Sequence, residues 1–416
     1  MPNRTCIGRL ALLALCIAGC DPLDDFEAGP LGAVEIGENE PVRIRSLFPI
    51  TGPASSHGAS LGQAIELAVR DFGSMHGRTV DPGQPVDAMC SPEGGRTGAE
   101  QIVADLQVAG VIGTACSASG VTASPVMSKA GFTMISPANA SPLLTSDLEG
   151  NAGMHYHPGY FRVVTNDLYR GRAVADFAWR ELGLRRMGAV HDGDPYTTAL
   201  VSAFGSAFRT LGGEVTTAGI AKGDTDMTAV LAEFAAAGAE GIFVPLFLAE
   251  GAFFVEQSRG FDSLEDAALV TGSAMLVPEF LGSPKSEGMY FAGPVLEHGP
   301  EANDVTGKNA DAVRAAFEET YGGAPASPYW AHAYDAATLL LAAIESVAVE
   351  KSETLYVDRL ALRQEIAATT DFQGIVGVLS CDDFGDCGAG RINIYRHLDT
   401  SVTDAAQLPV VYRFEP

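Results

Sequence analysis

The chain has 416 residues, with 52 acidic against 26 basic side chains and a formal net charge of −26. That balance argues against nucleic acid and anionic lipid surfaces as partners, since both carry the same sign of charge. Beyond an N-terminal leader and tether about 375 residues remain, more than one hydrophobic core usually serves, so two lobes are expected.

Arg4 and Arg9 give a positive start, and residues 10–18 form an apolar run too short to cross a bilayer as a helix. This is the pattern of an export signal over residues 1–19. It ends in Ile17-Ala18-Gly19-Cys20, which is similar to a bacterial lipobox. The small residues fit the narrow site of the signal peptidase, and the Cys20 thiol would carry the lipid. An ordinary cleaved signal with an incidental cysteine is the other reading. No later stretch is long and apolar enough to span, so the protein is expected on the periplasmic side, anchored rather than spanning, with the choice of inner or outer membrane open. Residues 20–41 are acidic and rich in Gly and Pro and read as a lipidated flexible tether, with the folded part starting near Val42.

The seven cysteines fit this export logic. Cys6 and Cys16 leave with the signal and Cys20 takes the lipid. Cys90, Cys116, Cys381 and Cys387 remain, and an even number in an oxidising compartment suggests two disulfides. Cys90–Cys116 with Cys381–Cys387 is the favoured pairing, because the second pair brackets the turn-like Asp382-Asp383-Phe384-Gly385-Asp386.

Short β-branched runs then alternate with longer Ala- and Leu-rich stretches, the signature of parallel α/β construction. Strands are expected over 42–50, 86–89, 111–113 and 132–135, with helices over 60–72, 97–109 and 121–130. The pattern restarts with strands over 160–164, 187–191, 214–220, 241–248, 268–271 and 288–292. Helices over 197–211, 227–237 and 249–259 lie between them. Helices over 309–321, 331–349 and 360–369 follow, then strand-like 374–379 and 391–396. Two successive sets of similar length predict two doubly wound α/β lobes with a ligand cleft at the carboxyl ends of their strands. Phe48, Tyr160, Trp179, Phe204, Phe243 and Tyr334 are expected in the cores.

The segment Val111 to Gly120 reads as a strand, a small-residue loop and a helix start. Free N–H groups there favour an anion, and Ser117 adds a hydroxyl; the plainer reading is a helix cap. Ile135-Ser136-Pro137-Ala138-Asn139-Ala140-Ser141-Pro142 repeats the arrangement. In the second set, His191-Asp192-Gly193-Asp194-Pro195-Tyr196 ends a strand and places Tyr196 to cover a cleft, with Asp192 and Asp194 as helix caps.

Enzymatic signatures are missing. Position 115 is Ala, 117 is Ser and 119 is Ser, so no Gly-x-Ser-x-Gly elbow exists, and no Walker or dinucleotide fingerprint appears. His155-Tyr156-His157 lacks a third metal ligand, and Asp382 to Asp386 lacks the Gly and terminal Glu of a calcium loop. No catalytic residue, cofactor or metal is expected.

Taken in order, Phe48-Pro49-Ile50-Thr51-Gly52-Pro53, Val111-Ile112-Gly113, Met134-Ile135-Ser136-Pro137-Ala138, His191-Asp192 with Tyr196, and Tyr334-Asp335-Ala336 resemble the periplasmic branched-chain amino acid (Leu/Ile/Val) binding proteins of ABC importers. The resemblance runs from Val42 into 391–396. It implies the type I solute-binding fold, a Cys90–Cys116 bridge, and a ligand carboxylate held by Ser117 with the Ala138 backbone. Tyr196 would close over the ligand, and His57 would line the side-chain pocket. It also marks departures: the second-loop hydroxyl donor falls on Ala140, an aromatic hydroxyl on Phe247, and the acidic partner of the ligand ammonium on Ala274. Asn139, Ser141, Glu250 and Glu279 lie close by as substitutes. The implied mechanism is lobe closure on an amino acid or related small carboxylate, followed by recognition by the permease subunits. Lobe crossings are expected near Tyr160, Gly293 and Gly377, giving lobe 1 as 42–160 plus 294–376 and lobe 2 as 161–293 plus 377–416. A sensory or scaffolding lipoprotein with the same fold and a ligand that is not an amino acid is the alternative.

Overall fold

The computed structural model describes residues 26–416. The export signal 1–19 and Cys20 lie outside the described residues. No helix among the described residues is long and apolar enough to cross a membrane.

Two parallel sheets carry the fold. In lobe 1 the strands Val42–Phe48, Arg78–Asp81, Val108–Gly113, Met134–Ser136 and Tyr160–Arg162 run parallel. Numbered along the chain, their spatial order is 2-1-3-4-5. In lobe 2 the strands Arg186–His191, Glu214–Gly219, Gly241–Val244, Ala268–Thr271 and Tyr290–Gly293 repeat that order, and Ile392–Arg396 and Val410–Phe414 extend the sheet antiparallel. The central strands are apolar throughout because helices cover both faces: every residue of Val108–Gly113 and Gly241–Val244 is buried. Strand order reverses between the first and third strands of each lobe. A doubly wound sheet opens its crevice outside the strand ends at that point.

Among the described residues the chain passes between the lobes three times. Tyr160–Arg162 pairs with Met134–Ser136, and Val163 and Val164 still pack in the first core, so the first crossing follows Val164 rather than Tyr160. The second follows Gly293, after which Ala310–Tyr321 and Trp330–Val347 pack on lobe 1. The third lies between Cys387 and Ile392 rather than near Gly377, because Leu379 and Cys387 belong to the core of lobe 1. Arg162 holds that return strongly, with Nη2 2.6 Å from Asp386 Oδ2.

Other local expectations change too. The tether does not extend to Pro41: Ala33–Ile36 is a strand, paired antiparallel with Thr354–Asp358 and burying Val34 and Ile36. Phe26 stacks on Tyr356 with ring centroids 4.6 Å apart. The helix expected over 97–109 is Pro92–Val103, started by Ser91, whose hydroxyl accepts from Gly94 N at 3.1 Å, and ended early by the strand Val108–Gly113. The run 374–379 is a hairpin of Phe372–Gly374 and Gly377–Leu379. Cys90–Cys116 and Cys381–Cys387 are both bonded. Of the aromatic residues expected in the cores only Trp179 is half-buried; Phe48, Tyr160, Phe204, Phe243 and Tyr334 are buried.

Candidate functional site

The loops at the two reversal points face one another across a cavity of about 210 Å³. That is smaller than the roughly 300–1,000 Å³ of drug-sized pockets and suits a molecule of amino-acid size.

Lobe 1 supplies one wall. The helix Ser55–Phe72, which follows the first strand, carries the half-buried His57. Enclosure between the lobes lowers the His57 pKa to about 4, so the ring is neutral near pH 7. The helix Ser117–Lys129 starts at the cavity with Cys116 as a cap that makes no side-chain hydrogen bond, leaving the first-turn N–H groups without intrahelical acceptors. Ser117 lines the cavity, whereas the Ser119 hydroxyl donates to the carbonyls of Ala88 and Ser91, each at 3.1 Å. The Cys90–Cys116 bond fastens this turn to the loop after the strand Val86–Asp87. Ala138 also lines the cavity, its N–H loosely held 3.3 Å from Ser136 Oγ.

Asn139 and Ala140 do not line the cavity. The Asn139 amide donates to Thr114 Oγ1 at 2.7 Å, and Ala140 packs in the core of lobe 1 with its carbonyl accepting from Asp167 N at 2.8 Å. One residue of the loop faces the cavity and the next two brace it. Ser141 Oγ reaches across the cleft to the Pro195 carbonyl at 3.1 Å.

Lobe 2 supplies the opposite wall. Asp194 caps the helix Pro195–Thr210 by accepting from Tyr196 N at 2.9 Å. Tyr196 lies over Phe247 with ring centroids 5.4 Å apart, and both line the cavity with Ala274. Gly272 makes room for this: a Cβ there would sit 2.4 Å from the Tyr196 hydroxyl.

Sequence reasoning missed Arg170, Lys222, Ser273 and Tyr329 in the lining. Arg170 is fully buried, with Nη1 2.6 Å from Asp167 Oδ1 and Nη2 donating to the Tyr329 hydroxyl at 2.8 Å. Burial alone would lower the Arg170 pKa, but the Asp167 carboxylate outweighs it and raises it. Tyr329, on the segment that returns to lobe 1, shares a 2.7 Å hydrogen bond with Ser273 Oγ of lobe 2. Lys222 Nζ lies 2.7 Å from Asp194 Oδ2. Glu250, named only as a neighbour of the expected ammonium site, also lines the cavity, and its Oε1 accepts from Gly223 N at 2.9 Å. Glu279 is outside the lining. Among the described residues no group of three His, Cys, Asp or Glu side chains is placed to hold a metal.

Two lobes of one strand order, hinged by three crossings around a cavity with a helix start in its wall, narrow the choice of family. The sequence profile of the periplasmic binding proteins matches residues 41–386. The chain belongs to this family. The "Leu/Ile/Val-binding protein homolog 3" of Brucella melitensis biotype 1 is 25% identical over 369 residues, 87% of this chain and 92% of the relative. Among solved structures, the leucine binding protein LivK of Thermotoga maritima superposes with a TM-score of 0.76 at 25% identity, covering 90% of this chain and 99% of that one. LivJ of Streptococcus pneumoniae, solved with isoleucine, gives 0.74 at 21% identity, covering 91% and 100%. This periplasmic binding protein shares their type I fold.

Proposed function

We propose that this periplasmic binding protein is the solute receptor of an ABC importer, anchored through a lipid on Cys20, and that it captures an amino acid or related small carboxylate by closure of its lobes. The observation that carries the reading is the start of the helix Ser117–Lys129, open to the cavity with the Ser117 hydroxyl beside it. Unsatisfied N–H groups at a helix N-terminus bind a carboxylate by hydrogen bonds and by the helix dipole together. The ammonium partner expected at the position of Ala274 is replaced by Glu250, the carboxylate that lobe 2 presents to the same cavity. Tyr196 and Phe247 cover the remainder from lobe 2. The leucine- and isoleucine-type ligands named for the relatives agree in size and class.

Calorimetry and thermal shift on the soluble form lacking residues 1–20, with the common amino acids and simple carboxylates, test it. A ligand that binds only the folded state raises the melting temperature. Ser117→Ala removes a charge-assisted bond of about 1.5–3 kcal/mol, so affinity falls roughly 10- to 150-fold. Failure of every amino acid and carboxylate to bind, or a Ser117→Ala variant with unaltered affinity, would sink the reading.

A further inference from the structure

The cavity wall holds polar atoms that the zwitterionic head of an amino acid does not account for. Arg170, Ser273 and Tyr329 form a continuous polar chain: Nη2 donates to the Tyr329 hydroxyl at 2.8 Å, and that hydroxyl meets Ser273 Oγ at 2.7 Å. All three line the cavity, and so does Tyr196. Two buried atoms of this patch, Arg170 Nε and the Tyr196 hydroxyl, have no hydrogen-bond partner among the described residues. Buried donors are nearly always matched in native proteins, so unmatched ones in a cavity wall indicate a partner brought by the ligand. An aliphatic side chain would leave these atoms dry and unpaired, at a cost that apolar contact does not recover.

We infer that the site selects an amino acid with a neutral polar side chain, a carboxamide above all, whose carbonyl accepts from Arg170 and Tyr196. The inference rests on the amino-acid reading of the site. The charge of the wall decides between carboxamide and carboxylate. Both cations of the lining are already committed, Arg170 to Asp167 at 2.6 Å and Lys222 to Asp194 at 2.7 Å. The ligand's own carboxylate is served by the helix start at Ser117. Its ammonium is served by Glu250. A second carboxylate on the ligand would meet a wall whose two cations are, among the described residues, each already paired with a carboxylate behind the lining, and to which Glu250 adds a negative charge. A carboxamide satisfies the donors without adding charge.

The test is a calorimetric comparison of glutamine, asparagine, glutamate, aspartate and leucine on the wild-type protein, repeated on Tyr196→Phe and Ser273→Ala. The expected result is a carboxamide amino acid bound at least about tenfold more tightly than both leucine and its acidic analogue, since a site built to pair polar groups rejects ligands that lack them. The ratio of carboxamide to leucine affinity should fall severalfold in Tyr196→Phe, whatever happens to the absolute affinities. Leucine bound as tightly as glutamine and asparagine overturns the inference while leaving the amino-acid reading intact. Glutamate or aspartate bound more tightly than its amide overturns the charge argument and with it the inference. Binding of none of the five overturns the inference, whereas the amino-acid reading falls only when the remaining amino acids and simple carboxylates fail as well.

Discussion

Asp386→Ala should be among the most destabilising single substitutions in the protein. Asp386 Oδ2 lies 2.6 Å from Arg162 Nη2, with side-chain exposures of 7% and 0%, and also accepts from Asn166 Nδ2 at 3.0 Å and Thr145 Oγ1 at 3.3 Å. Removing the carboxylate leaves the Arg162 guanidinium charged in the core. Burial alone would lower its pKa, but the neighbouring Asp386 raises it. Breaking a buried pair from one side costs about 3–5 kcal/mol, whereas replacing both partners by apolar groups costs far less. The assay is urea unfolding followed by tryptophan fluorescence, with Trp179 in lobe 2 and Trp330 packed on lobe 1 as reporters. Asp386→Ala should lose about 3–5 kcal/mol, and Asp386→Leu combined with Arg162→Met should recover much of it. Ligand affinity should fall as well, because Arg162 Nη1 holds the carbonyls of Asn139 at 3.2 Å and Ser141 at 2.7 Å, beside Ala138 in the cavity wall. A single variant within about 1 kcal/mol of wild type, or a double variant no better than the single, refutes the argument.

Burial raises the Asp335 carboxyl to about 7, although the N–H groups of Val376 and Ile375 and the Asn303 amide pull it down. A folded pKa above the unfolded one gives stability that is complete below pH about 4 and lost as pH rises to about 7, so wild type should weaken relative to Asp335→Asn over that window in urea titrations. His57 has the opposite sign: its pKa falls from 6.5 to about 4 on burial. Ligand-free wild type should therefore lose stability relative to His57→Phe as pH drops across that interval, measured by melting temperature. Gly58→Ala places a Cβ 2.0 Å from the Pro49 carbonyl oxygen, a backbone atom that cannot yield. It should destabilise by about 1–3 kcal/mol in the same urea assay and disturb the turn that carries His57. Cys20→Ser in the full chain should abolish palmitate labelling and release the protein from the membrane fraction; persistent labelling would rule out Cys20 as the anchor.

Both lobes were legible because a parallel strand covered on two faces leaves an uninterrupted apolar run, as in Val108–Gly113 and Gly241–Val244. The segments after the strands Val108–Gly113, Met134–Ser136 and Arg186–His191 marked Ser117, Ala138 and Tyr196, all of which reach the cavity. Arg170 and Tyr329 were not legible: they are 159 positions apart, away from the strand-end loops, and only the fold joins them. Asn139 and Ala140 were misplaced because a loop turns its side chains through directions that spacing alone does not reveal. The strand Ala33–Ile36 was hidden among Gly, Pro and acidic residues, and its partner Thr354–Asp358 is more than 300 positions away.

That strand governs how a soluble form should be cut. Starting at Val42, where composition alone would begin the fold, strips Val34 and Ile36 from the three-stranded sheet and bares Leu355 and Val357 along an unpaired edge. An open apolar edge recruits strands from other chains, so such a truncation is expected to aggregate during purification. A preparation beginning at Asp21 keeps Phe26 on Tyr356 and Gly29 N bonded to Asp358 Oδ2 at 2.6 Å, and should remain monodisperse.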